Sequence, residues 1–75
     1  MDIKLELVPE PDPKKTTVLQ WAKTKDEFDS FMNGGGIDNL LCGQCDAALC
    51  KNVNSSSIQN IHFKCPFCEK FNLKR

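Results

Sequence analysis

Two Cys-x-x-Cys pairs, in LLCGQCDAALC and FKCPFCEKFNL, constrain the fold of this chain more than any other feature. Cys42 and Cys45 are followed, after 19 intervening residues, by Cys65 and Cys68. Two residues between thiolates allow a tight turn that aims both sulfurs at one ion, while backbone amides inside the turn donate to sulfur. Gly43 is expected to relax the first turn. Pro66 is expected to preorganise the second, at a position whose amide is dispensable. A hairpin between the pairs would return the second turn beside the first, and two facing turns make a tetrahedral four-sulfur site that selects zinc or iron.

The spacing lies in the zinc-ribbon range, so one structural Zn2+ held by Cys42, Cys45, Cys65 and Cys68 is expected. A thioredoxin-like redox pair needs a βαβ setting and a helix start to depress its thiol pKa, and neither follows Cys45 or Cys68. Rubredoxin-like iron sites share the two pairs but usually carry Gly after each, where this chain has Asp46 and Glu69, and usually a longer gap. Catalytic zinc keeps an open position beside a general base. Base deaminases place a His-x-Glu motif before the second pair. Neither pattern is present, and no enzymatic activity or small-molecule substrate is expected. The fifth cysteine, Cys50, reads as a small buried residue on the first ribbon strand, and the single histidine, His62, as a strand residue rather than a ligand.

At 75 residues the chain makes one domain, short enough that its core needs a staple such as a metal. No stretch approaches the roughly 18 apolar residues of a membrane span. The start, MDIKLELVPEPDP, alternates charged and apolar residues and lacks the continuous apolar run of a signal peptide. A cytoplasmic location, where thiols stay reduced, is therefore expected.

The expected fold is small α+β: a zinc ribbon of two knuckles and a hairpin or three-stranded sheet, preceded by a β-hairpin and one short helix. Ile3, Leu5 and Leu7 alternate with Asp2, Lys4 and Glu6, the period-two pattern of a half-buried strand. TTVLQWA reads as a second strand, pairing antiparallel with the first across the Pro9, Pro11 and Pro13 loop. TKDEFDSFMNGGG predicts a helix, with Thr24 and Glu27 as a capping box and Phe28, Phe31 and Met32 on one face. Gly34–Gly36 would form a flexible joint between residues 1–36, the hairpin and helix, and residues 37–75, the ribbon on which they pack. Within the ribbon, AALCKN and SIQNIHFK read as strands around the polar turn NVNSSS.

The net charge of zero is unevenly spread. Residues 1–50 carry nine acids against five lysines, and residues 51–75 carry five basic residues against Glu69 alone. The segment HFKCPFCEKFNLKR interleaves Phe63, Phe67 and Phe71 with Lys64, Lys70, Lys74 and Arg75. Stacking faces beside cations suit single-stranded nucleic acid. Phe67, at a knuckle tip, would equally serve as an apolar anchor for a protein partner. Phe63 and Phe71 are expected in the ribbon core. CGQCDAAL followed by IHFKCPFCEKFN resembles short zinc-ribbon proteins of the phage Com-like translational-activator type. There Leu follows the first pair, and an Ile-x-apolar-basic run enters Cys-Pro-x-Cys with a basic residue close behind. Those positions are here Leu49, Ile61, Phe63, Lys64, Cys65, Pro66, Cys68 and Lys70. The resemblance covers residues 42–72 and implies a zinc-stapled, RNA-binding regulatory unit.

Overall fold

The computed structural model describes residues 1–75 as eight short strands and two single 3₁₀ turns. β1 (Asp2–Lys4) and β2 (Glu6–Val8) form one extended segment jointed at Leu5. β3 (Thr17–Leu19) and the two-residue β4 (Met32–Asn33) follow. β5 (Asp38–Leu41) and β6 (Ala48–Val53) flank the first cysteine pair, and β7 (Ile61–Lys64) and β8 (Phe71–Lys74) flank the second. The strands make two four-stranded sheets, ordered β1-β5-β6-β4 and β2-β8-β7-β3. Each sheet is an antiparallel cysteine hairpin with one added strand on either side. The ribbon thus lies within two four-stranded sheets, larger than the expected hairpin or three-stranded one.

The first segment is the strand that its alternation predicts, but its partners differ. β1 runs parallel to β5, with Ile3 opposite Leu40, and β2 runs antiparallel to β8. The switch falls at Leu5, whose side chain is buried and whose N–H donates to the Leu41 carbonyl at 2.8 Å. One continuous segment therefore ties both hairpins together. The expected pairing with TTVLQWA does not form: β3 runs parallel to β7, at the opposite edge of the sheet from β2. Crossing three strand spacings takes about 14 Å. The eight-residue loop is long enough for that span, and the chain turns only at its far end, where the Lys15 and Thr16 N–H groups donate to the Asp12 carbonyl at 3.0 and 3.2 Å.

The expected helix is also absent. Only Lys25–Glu27 turn, as 3₁₀; Thr24 makes no side-chain cap, and Phe28 is already extended at φ −76°, ψ 125°. A helix of this length is below the roughly 12–15 residues that hold one in water, and the adjoining residues bond more favourably to an open strand edge. Phe31 N–H donates to Leu49 O at 2.7 Å, β4 pairs parallel with β6, and Gly34 and Gly36 N–H both reach Asn52 O. The glycines are therefore edge pairing rather than a free joint. A Cβ on Gly36 would collide with the Val53 backbone carbonyl. SIQNIHFK contributes strand only over Ile61–Lys64, because Asn54 caps a 3₁₀ turn at Ser55–Ser57 by accepting from Ser56 N–H.

Leu5, Leu40, Leu49, Val53, Ile58 and Phe63 pack with Cys42, Cys50 and Cys65 to form the core. Beside it, Phe28 sets its ring edge-to-face against Trp21, Phe31 and Phe67, and Phe31 leans on Phe63. Phe71 lies outside this core, half-buried. Only 10 of 75 residues are buried, so apolar burial alone is a weak anchor for the ordered chain.

Candidate metal centre

The two knuckles are built alike. In the first, Cys42 N–H donates to Ala47 O at 2.9 Å and Asp46 N–H returns to Cys42 O at 3.0 Å. In the second, Cys65 N–H donates to Lys70 O at 3.0 Å and Glu69 N–H to Cys65 O at 2.9 Å. Asp46 and Glu69, each just past the second cysteine, both take φ 61°. The repeat thus extends past the cysteine pairs into backbone geometry that the side chains do not advertise. It also removes one contrast with rubredoxin-like knuckles, since the bend usually served by Gly forms without it.

Facing one another, the knuckles bring together the four cysteines picked out by spacing. All four sulfurs lie within 4.8 Å of one another. The two short separations cross between hairpins: Cys42 Sγ to Cys68 Sγ is 3.5 Å and Cys45 Sγ to Cys65 Sγ is 3.6 Å. Four sulfurs about 2.3 Å from a central ion would stand about 3.8 Å apart. The cluster therefore fits a single tetrahedral metal ion. Cys42 and Cys65 are buried, Cys68 half-buried and Cys45 exposed.

Electrostatics favours a cation here. Burial pushes the Cys65 thiol up to about 12 despite amide donors from Cys68 and Phe67, and burial raises Cys68 as well. At Cys42 burial acts the same way, but it is outweighed by the Cys45 and Gln44 amides, the Asn72 side chain and the Cys68 thiol, which bring it down to about 7. Cys42 is thus prepared to be a thiolate. A bound cation would supply the charge that lets Cys65 and Cys68 follow.

Neighbouring residues explain the local sequence. Gly43 has no positive φ; it is small because a Cβ would sit 2.5 Å from Leu5 O, where the first segment crosses the knuckle. Asn72 is not marked by the sequence pattern, since FNLK reads with Phe71 and Leu73 inward. The structure buries Asn72 completely. Its Oδ1 accepts from Gly43 N–H at 2.7 Å and its Nδ2 lies 3.5 Å from Cys42 Sγ. The available signal is a lone amide residue inside an otherwise apolar and basic strand, close after the second pair.

Cys50 stands apart from the four sulfurs. It is buried opposite Leu40 and Met32, and burial pushes its thiol up to about 11. His62 also lies outside the cluster, paired in register with Val18 and Leu73, its Nδ1 buried without a hydrogen-bond partner.

The residues expected to meet a partner are dispersed. Phe67 is 45% exposed but rests one edge on Phe28, with centroids 5.7 Å apart. Lys64 Nζ stands 5.8 Å from the Phe71 centroid. Lys70 is exposed on the second knuckle. Lys74 donates to the Arg75 carbonyl, and Arg75 pairs with Glu6 at 2.7 Å. Strand alternation sends Lys64 and Lys74 to opposite faces of the sheet. No helix is long and apolar enough to cross a membrane. Comparison with protein-family models, curated proteins and solved structures gives no match for this chain.

Proposed function

We propose that the chain is a small zinc-binding protein in which one structural Zn2+, held by Cys42, Cys45, Cys65 and Cys68, fastens the two hairpins together. The observation that carries this reading is the convergence of four sulfurs, two from each hairpin, within 4.8 Å. Four thiolates close a tetrahedral shell and leave no position for an activated water, which supports a non-catalytic role. Five free cysteines suit a reducing, cytoplasmic setting. Metal analysis of the purified protein tests the site: one zinc per chain is expected, and iron–thiolate absorption in place of zinc would contradict it.

The partner in this reading is single-stranded nucleic acid, met by the second knuckle. In support, Phe67 and Lys70 are exposed, and Lys64 lines a shallow cleft of about 140 Å³ with Trp21 and Lys23. Aromatic faces beside ammonium groups are what such a strand needs. Titrating labelled single-stranded RNA and DNA into the zinc-loaded protein at two salt concentrations tests it. Binding that weakens with salt and is impaired in Phe67→Ala and Lys70→Ala is expected; no binding at low salt would refute it.

One observation favours a protein partner instead. A groove of about 760 Å³ lies among Met32, Val53, Ile58 and Ile61, with Ile37 78% exposed at its rim. A partner retained after nuclease treatment and lost in Ile37→Asp would support that reading over the first.

A further inference from the structure

The two knuckles share a backbone but differ at two coupled side-chain positions. Counted from the first cysteine of each pair, Gly43 corresponds to Pro66, and Asn72 corresponds to Leu49. Asn72 Oδ1 takes the Gly43 amide proton at 2.7 Å. Pro66 has no amide proton, and Leu49, in the place of Asn72, has no acceptor. The differences therefore match: where an amide proton exists a carboxamide meets it, and where none exists an apolar side chain suffices. Both Asn72 and Leu49 are fully buried, so the contrast lies in hydrogen bonding and not in exposure.

The carboxamide orientation follows from chemistry. Gly43 N–H can only donate, so the atom facing it must be Oδ1. The Nδ2 group is then turned to Cys42 Sγ at 3.5 Å and the Lys70 carbonyl at 3.4 Å. Gln44 N–H also donates to Cys42 Sγ, at 3.4 Å. One residue of the second hairpin thus grips the first knuckle at both its backbone and a sulfur. Cys65, equally buried, receives no side-chain amide.

We propose that Asn72 is a positioning residue that makes Cys42 the anchoring ligand of the metal, so that the ion enters and leaves on the side of the exposed Cys45. This rests on the metal reading above. Hydrogen bonds to a ligating sulfur stabilise its thiolate and fix its direction, and losing such a partner typically costs about 10–100-fold in metal affinity. Gripped by Asn72, Cys42 should be the last sulfur to let go.

The test uses the full chain loaded with zinc, after confirming one ion per chain. Zinc is withdrawn with a chelator while a thiol-alkylating reagent is pulsed, and labelling at each cysteine is read by peptide mass spectrometry. In the wild type Cys45 should label first and Cys42 last, later than the equally buried Cys65. In Asn72→Leu, which copies the other hairpin, zinc affinity should fall about 10–100-fold. Cys42 should also lose its last place, and the thiolate-to-metal band of the cobalt-substituted protein should move to lower energy. If wild-type Cys42 labels no later than Cys65, the inference fails, whatever the variant does. It fails also if Asn72→Leu weakens zinc but leaves labelling order and cobalt band unchanged, the result of a purely structural role. Absence of any bound ion in the wild type would overturn the metal reading itself, and this inference with it.

Discussion

Asp46 and Glu69 hold the same left-handed backbone conformation, φ 61° in each, at the same place in two facing knuckles. A side chain with a Cβ pays about 1–2 kcal/mol to stand there. The tight return of each cysteine turn requires it. Glycine relieves that strain but adds roughly 0.5–1 kcal/mol of unfolded-state entropy. Glu69→Gly should therefore stabilise the metal-loaded protein by up to about 1 kcal/mol. Asp46→Gly should do slightly less, because it also removes an exposed ion pair with Lys4 that contributes little. Urea denaturation of the loaded proteins measures both. A clear loss of stability in Glu69→Gly would show that its side chain has a role beyond filling the bend.

Removal of the metal should unfold most of the chain. Structural zinc sites of this kind supply on the order of 10 kcal/mol of binding. The strands of residues 1–36 pair with the cysteine hairpins, so they should not survive alone. Chelation is expected to collapse the dispersed amide spectrum of residues 38–75 and of β1 to β4 with it. Retained dispersion in residues 38–75 after complete metal loss would contradict a folding role for the ion.

Two glycines should respond oppositely to the same substitution. A Cβ at Gly43 meets Leu5 O at 2.5 Å and Leu7 Cγ at 3.1 Å, whereas at Gly35 nothing lies within 4 Å. Gly43→Ala should cost about 1–3 kcal/mol by forcing the first segment off the knuckle. Gly35→Ala should be neutral or stabilise by about 0.5 kcal/mol. Thermal melts of the zinc-loaded variants distinguish them.

Phe28 joins two aromatic neighbours of its own segment, Trp21 and Phe31, to Phe67 of the second knuckle. It is only half-buried, so Phe28→Ala should cost about 2 kcal/mol, less than a fully buried phenylalanine. Trp21 loses its edge-to-face partner in this variant, and its fluorescence should shift to the red. An unchanged emission would mean that the cluster does not hold in solution.

Cys50 gives the fold an alkaline limit. Burial pushes its thiol up to about 11, so the folded protein favours the protonated form. Its stabilising contribution is complete below the ordinary thiol pKa of about 8.5 and is lost as the pH rises through the folded value. Wild-type stability should fall more steeply above about pH 9 than that of Cys50→Ala, even though the variant is less stable at neutral pH for want of the sulfur. Parallel slopes for the two proteins above pH 9 would rule this out.

The four-cysteine cluster was legible in the amino-acid order because a Cys-x-x-Cys turn is a local object, its geometry set within four residues. The strands at residues 2–8 and 61–64 were legible for a related reason: period-two alternation marks a half-buried strand. The strand at Ala48–Val53 was legible only in part, from its place beside a polar turn; adjacent Leu49 and Cys50 are both fully buried, and Val53, which reads as turn, ends the strand in the core. Leu7 and Phe71 also depart from alternation, since at the join between two sheets, what lies across from a residue depends on a distant segment.

Everything set by distant pairing was decided by the tertiary structure alone. Residues 24–33 carry helix signals, yet the open edge of β6 offers their backbone partners and burial that a short helix lacks. Residues 17–19 read as the mate of residues 2–8 but found a neighbour in β7. Asn72 looks like an ordinary strand residue until the second hairpin folds over and sets its carboxamide between Gly43 and Cys42. Local spacing thus determined which atoms can hold a metal. The close approach of two hairpins, with one segment crossing both, determined what surrounds it.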